Sequence, residues 1–310
     1  MPSLRSQNRP LGFAACAIAS MLWGCGFFFG KIALREMNVG AMVLYRFLFA
    51  CIGLLPLLVR HKPQLNGREW RQLALCAAMG VPLQFLIQFR GLSLTTVSHA
   101  SLMVGTMPVM LALGATLFAR ERLSALGWVS LAGSTAGAVL IVLGKASAGR
   151  SGQAPTLAGD LLVVLSLMIC LVWVLMNKSL MQRHSSVSIT VWGTLLGTAM
   201  LAVIVPVLYG WPPVHISAGA WGASVGAGLL CTGATTLLWN WGLTQVPASQ
   251  AGVLLNMEPL IGSLLGVALL GERLEATAFA GGLLIVLAAV VLTVSSSRAA
   301  KAVAEAPESQ

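Results

Sequence analysis

Ten apolar stretches, each about 20 residues long, follow one another along this 310-residue chain with only short polar connections between them. They fall near residues 11–32, 39–59, 70–90, 96–118, 124–144, 158–179, 187–208, 218–241, 248–270 and 276–296. A helix of that length matches a bilayer core of roughly 30 Å. Composition agrees: 9% of the residues are charged, against about 25% in a soluble domain. A chain so poor in charge cannot present a water-compatible surface. The pattern predicts an all-α integral membrane protein.

The net charge of +10 is not a nucleic-acid signature, because the basic residues do not gather in one patch with interleaved aromatics. They lie between the apolar stretches, where Lys and Arg set orientation. With ten crossings, the N-terminal side collects Arg5, Arg9, Arg60, Lys62, Arg68, Arg71, Arg120, Arg122, Lys178, Arg183, Arg298 and Lys301. The other side has Lys31, Arg35, Arg90, Lys145, Arg150 and Arg273. Both termini are therefore expected to be cytoplasmic. Arg5 and Arg9 precede an apolar run too long for a signal peptide, so that run is expected to be retained as the first span. All six cysteines fall inside apolar stretches without a CxxC or a His/Cys cluster. No disulfide framework, metal site or cofactor is predicted.

The chain also repeats itself. Residues 91–123, "GLSLTTVSHASLMVGTMPVMLALGATLFARERL", align without gaps to 242–274, "GLTQVPASQAGVLLNMEPLIGSLLGVALLGERL", at an offset of 151 with nine identities. Ser98/Ser249, Pro108/Pro259 and Glu121/Glu272 are among them; Trp70 matches Trp221 at the same offset. The expected organisation is a first five-helix repeat over 11–144, a linker over 145–157, a second repeat over 158–296 and a disordered cytoplasmic tail over 297–310. Five is odd, so the second copy inserts upside down. Two inverted repeats are the signature of secondary transporters, with a substrate site near the midplane between the copies.

Charge inside the apolar stretches singles out two residues. Glu258 stands directly before Pro259 in the ninth stretch, and Arg46 lies in the second. An intramembrane ionisable residue is costly and points to function. A carboxylate there can bind and release a proton or meet a substrate amine, and Arg46 can pair with it, in a structural pair or beside one cavity. Polar and aromatic side chains at similar depth add Trp23, Gln84, Gln88, Trp239, Asn240 and Asn256 as substrate-site candidates, with His99, Thr106, Trp173 and Asn177 behind them. Pro108 and Pro259 are expected to kink their helices. Glu121 and Glu272 read as boundary residues paired with the adjacent Arg122 and Arg273. Five GxxxG spacings, Gly262–Gly266 among them, permit close helix packing.

The stretches "PVMLALGATLFARERLSALGWVSLAGSTAGAVLIV" and "EPLIGSLLGVALLGERLEATAFAGGLLIVLAAVVL" close the two halves, and "YRFLFA" surrounds Arg46. In these features the chain resembles the EamA-type family of the drug/metabolite transporter superfamily. The resemblance covers residues 11–296 and implies a bacterial inner-membrane exporter of small metabolites, amino acids or drug-like compounds, commonly proton-driven. The expectation is a permease, not an enzyme, working by alternating access with Glu258 as candidate proton carrier. Its expected partners are a small-molecule substrate and the lipid bilayer, with a homodimer as the candidate assembly. A facilitative channel or a lipid-translocating protein is the alternative. An intramembrane hydrolase is remote: "GASVG" at 222–226 fits GxSxG in letters, but that motif needs a strand–turn–helix elbow.

Overall fold

The computed structural model describes residues 9–60, 63–107, 109–110, 125–143, 154–181, 183–245 and 254–305. Every described element is helical, and each predicted span corresponds to one of them. They are α1 (Arg9–Ala33), α2 (Val39–Arg60), α3 (Gly67–Leu94), α4 (Val97–Val104), α5 (Ala125–Leu143), α6 (Leu157–Met181), α7 (Ser186–Tyr209), α8 (Ala218–Val225, continuing without a break to Gln245), α9 (Met257–Leu270) and α10 (Ala276–Glu305). Six of the helices are long and apolar enough to cross a membrane, and Ala125–Ile141, Met257–Leu270 and Ala276–Val291 are shorter apolar helices. Because backbone polar groups must be satisfied internally in lipid, helices are the form such stretches take. Exposed Ile52, Leu55, Val203, Val207, Leu264 and Leu287 give the bundle an apolar exterior.

Helix ends follow local chemistry. α3 begins at Gly67, three residues before the expected span. There Asn66 Oδ1 accepts the Glu69 amide at 2.9 Å while Glu69 Oε2 accepts the Asn66 amide at 3.0 Å, a reciprocal capping box. Thr96 caps α4 by accepting the His99 amide, and Ser217 caps α8 through the Ala220 amide. Gly271 ends α9 with a φ of 66°, a left-handed conformation that glycine adopts freely. α10 runs to Glu305, past the expected end of the span at Ser296 and into the segment expected as a disordered tail. Its "SSSRAAKAVAE" continuation is rich in alanine and adds turns to a helix already nucleated in the membrane.

The two halves are interleaved rather than set side by side. α1 packs on α8, α3 on α6, α2 on α7, α4 on α9, and α5 on α10. The repeat relation exchanges the first two pairs and maps each of the others onto itself. Aromatic packing shows the inversion directly. On the side where α1 begins (the near side), Trp70 meets Trp192 edge-on at 5.7 Å. On the opposite, far side, the equivalent Trp221 meets Tyr45 at 4.8 Å.

Two irregularities also recur in both halves. Residues Met79–Leu83 of α3 and Gly226–Ala234 of α8 are π-helical, and the two segments overlap at the 151-residue offset. Helix α4 gives way to a turn at Gly105–Thr106, and a turn at Leu255–Asn256 precedes α9. The second interruption lies just before Pro259, not at it. Pro259 falls in the first turn of α9, where amides have no intrahelical acceptor and its missing N–H costs nothing. The expected interior kink is therefore a break between two helical pieces. Pro108, its counterpart, lies outside the described residues.

Candidate functional site

Arg46 is 4% exposed and anchored in the centre of the bundle. Its Nε donates to Thr232 Oγ1 at 2.8 Å and its Nη2 to the Cys231 carbonyl at 3.2 Å. Both acceptors lie in the π-helical segment of α8, where the wider turn leaves carbonyls available to a side chain. The guanidinium also lies over the rings of Phe85 and Phe89, at 5.1 and 5.3 Å from their centroids, a desolvated cation–π arrangement. Gly26 of α1 lets this cation approach, since a Cβ there would stand 3.4 Å from both terminal nitrogens.

Glu258 is half-buried in the first turn of α9. Its own backbone carbonyl lies against Gly24 of α1, where a Cβ would come within 2.6 Å of it. The carboxylate is within electrostatic reach of Arg46, Cys170 and Cys231. Among the described residues no ion pair joins it to Arg46. The two charges share one region without neutralising each other in contact. A fixed Arg46–Glu258 pair holding helix register is thus not what the geometry contains: Arg46 directs its donors to α8 instead.

The other predicted residues divide into groups. Gln84 lies beside Cys170 next to the Glu258 region, 7% exposed, with an Oε1 that no donor among the described residues reaches. Gln88 is buried one turn along α3. Trp23 and Trp239 meet with tilted rings, centroids 5.3 Å apart, and Trp239 continues toward the near side in a cluster with Cys16, Phe13 and Leu254. Asn240 reaches Thr190 of α7 at 3.5 Å. Asn256 is buried at the break before α9. Arg46, Glu258 and Gln84 therefore share one region, while Trp239 and Asn240 lie toward the near side, with Trp23 against Trp239.

At the far side the structure assembles a polar cluster that the sequence reading missed. Glu272 accepts the Val97 amide at 2.7 Å, the Ser98 amide at 2.8 Å and Ser98 Oγ at 2.7 Å. It caps α4 from the end of α9, while Arg273 points outward and is exposed. The expected Glu272–Arg273 boundary pair is replaced by this cap, because three hydrogen bonds from a helix N-terminus hold a buried carboxylate better than one solvated neighbour. Lys31 donates to the carbonyls of Leu92 and Thr95 at 2.7 and 2.5 Å. Asp160 accepts from Thr95 Oγ1 at 2.5 Å and meets His99 Nδ1 at 3.2 Å. The close crossing of α4 and α9 that permits this rests on the GxxxG pair, since a Cβ on Gly262 or Gly266 would collide with Ser101 or Ser98. In the sequence, only the shared Ser98/Ser249 and Glu121/Glu272 positions hinted at it. Glu121 and Ser249 lie outside the described residues.

The hydrolase alternative finds no support at its serine. Ser224 is fully buried inside α8 and its hydroxyl donates to the Ala220 carbonyl at 2.9 Å; the motif is helical, with no elbow.

Comparison with known proteins places this architecture. A transporter from Archaeoglobus fulgidus without an assigned substrate is 27% identical over 283 residues, spanning 89% of this chain and 95% of that protein. The biotin transporter of Escherichia coli (strain K12) is 27% identical over 288 residues, spanning 89% and 91%. The transporter YoaV of Bacillus subtilis is 23% identical, spanning 90% and 95%. One crystal structure superposes with a TM-score of 0.64 at 18% identity, covering 93% of this chain and 98% of the other, a likeness of fold. The model of the EamA-like transporter family matches twice, over residues 10–143 and 157–294, and the chain belongs to that family.

Proposed function

We propose that this member of the family is a secondary exporter of small organic solutes in a bacterial inner membrane. It alternates access between its two repeats and exchanges a proton at Glu258. The observation that carries the reading is the central pair of charges. Arg46 and Glu258 both lie within apolar helices, close to each other yet not in contact, beside the open acceptor of Gln84. A buried cation held by α8 suits a substrate carboxylate, and a carboxyl nearby suits a substrate amine or a proton. The breaks at Gly105–Thr106 and Leu255–Asn256 give each repeat a hinge at equivalent height. The excess of Lys and Arg on the near side favours placing both termini in the cytoplasm.

The test is transport in proteoliposomes under an imposed pH gradient. The screen covers radiolabelled amino acids, biotin (named for the E. coli relative) and a set of organic cations. The wild type should move one of these uphill, and Glu258→Gln should lose at least about ten-fold of that flux, as expected where a single intramembrane carboxyl carries the coupled proton. Uphill flux that survives the substitution removes Glu258 as proton carrier. Flux that is only ever downhill, with or without Glu258, makes the protein a facilitative channel.

A further inference from the structure

At the far side, α4 begins inside a cluster of ionisable side chains that the proposed transport cycle does not use. Asp160 of α6 is 2% exposed and His99 of α4 is 5% exposed. Asp160 Oδ2 meets His99 Nδ1 at 3.2 Å, and its Oδ1 accepts the Thr95 hydroxyl at 2.5 Å. The Thr95 carbonyl in turn accepts Lys31 Nζ of α1, and the Val97 and Ser98 amides donate to Glu272 at the end of α9. The short stretch Thr95–His99 therefore ties α1, α6 and α9 to the start of α4. Glycines fix the crossing of α3 and α6 that brings Asp160 here. A Cβ on Gly91 would stand 2.8 Å from the Gly159 carbonyl, and one on Gly159 would stand 2.8 Å from that of Leu94.

The same crossing recurs at the opposite mouth. Gly91 corresponds to Gly242 at the offset of 151, and Gly159 to Gly12 at the offset of 147 that also relates Lys178 to Lys31. A Cβ on Gly242 would stand 3.0 Å from the Gly12 carbonyl. The titratable pair does not recur: the near mouth has Gln250 in the place of His99 and Phe13 in the place of Asp160. The glycine crossing belongs to the repeat architecture, and the His–Asp contact to the far mouth alone. Histidine is the side chain whose unperturbed charge changes between about pH 5 and 8. The helices packed on α4 bring three other charged groups to it: Lys31 from α1, Asp160 from α6 and Glu272 from α9. Arg35, Arg90 and Arg273 at the far ends of α1, α3 and α9 are exposed, Glu275 is half-buried before α10, and α10 has no charged residue before Arg298. A proton on the imidazole turns the Asp160 contact into a charge-assisted bond, roughly twice as strong as a neutral one.

We propose that His99 and Asp160 form a proton-binding site, separate from Glu258, that holds the far mouth shut. When α4 and α6 close on each other, a proton from far-side water binds the imidazole nitrogen that carries no hydrogen; the water O–H breaks and the N–H forms. When the helices part, the proton returns to the same side, so none is carried across. The state that binds the proton is favoured as pH falls, and acid on the far side tightens the far mouth. This rests on the reading of the chain as an alternating-access transporter, but not on proton exchange at Glu258.

The experiment needs no substrate. The full-length protein in lipid nanodiscs is exchanged into D₂O at about pH 5.5 and about pH 8, on either side of the ordinary histidine range. Deuteration of the peptide covering Thr95–Met103 is read by mass spectrometry, each rate divided by the intrinsic amide rate at that pH. In the wild type, protection should be about ten-fold higher at the acid pH, the weight of one charge-assisted bond. His99→Gln, which installs the residue of the near mouth, should remove the step. Asp160→Asn should remove it too, and serves where the glutamine variant does not insert stably. Glu258→Gln should keep it. Equal protection at the two pH values in the wild type, or a step that survives His99→Gln or Asp160→Asn, overturns the His99–Asp160 site and leaves the transporter reading intact. A step that is lost in Glu258→Gln assigns the titration to the central carboxyl and overturns the site as well.

Discussion

At the far end of the bundle Glu272 accepts three hydrogen bonds, Asp160 makes two contacts and Lys31 donates to two carbonyls. Toward the centre and the near side, Gln84 and Asn177 are also buried, yet each keeps an oxygen that meets no donor among the described residues. Both regions place polar groups inside an apolar protein, where an unmet group costs about 1–3 kcal/mol and a met one costs little. The far-side groups are consumed in tying α1, α3, α4, α6 and α9 together. The central ones retain bonding capacity. Matching therefore distinguishes the two regions, and the proposed function places its site in the unmatched one.

The largest effect that tests this contrast comes from Glu272→Ala. It strips the cap from α4 and leaves the buried Val97 and Ser98 amides without their acceptor, so it should destabilise the folded protein by about 3 kcal/mol. Unfolding followed by steric trapping in bilayers measures it, and a loss below roughly 0.5 kcal/mol would erase the distinction. Gln84→Leu should go the other way. Removing an unmet acceptor while keeping the bulk should leave stability unchanged or raise it by up to about 1 kcal/mol, while impairing gradient-driven flux in proteoliposomes. A clear destabilisation would mean Gln84 is structural.

The smallest effect is at the surface. Glu36 accepts the Ser217 amide at 2.7 Å and Ser217 Oγ at 2.5 Å, and these bonds hold its carboxyl below the usual carboxylate range. A native pKa below the unfolded one stabilises above the unfolded value, and the contribution is lost as pH falls through the lowered native one. Hydrogen exchange at the Ser217 and Ala220 amides should therefore quicken only in that acid window. In Ser217→Ala the Glu36 titration, followed by NMR, should move back up toward the ordinary glutamate value. Exchange independent of pH there would show that the cap of α8 does not use this carboxylate.

Much of the fold was legible because hydrophobicity is local. Ten apolar runs bounded by charge and turn residues can only become helices in a membrane, and most of the described helix ends fall within a few residues of the expected ones. Arg46 and Glu258 stood out for the same reason, as charges inside apolar stretches. Glu272, Asp160 and Lys31 did not, because a charge at the end of a span looks like ordinary solvated punctuation. Nothing local told that Glu272 turns inward while Arg273 turns out. The π-helical segments were less legible: "GAGLLCTGA" reads as plain apolar helix, and in "MGVPL" only Pro82 marks a local irregularity. Pro259 signalled an interruption but not its place.

By itself, the sequence determined that the chain is helical, membrane-embedded and internally repeated upside down. Those properties depend on apolar run length, on charge placement and on the parity of five spans. Only the tertiary structure decided which polar groups are matched. Hydrogen-bond satisfaction is a relation between residues far apart in the chain, as between Glu272 and Ser98 or Arg46 and Thr232, and helix packing alone brings those pairs together. Whether a buried carboxylate or amide is a brace or a working group is settled by its neighbours in space.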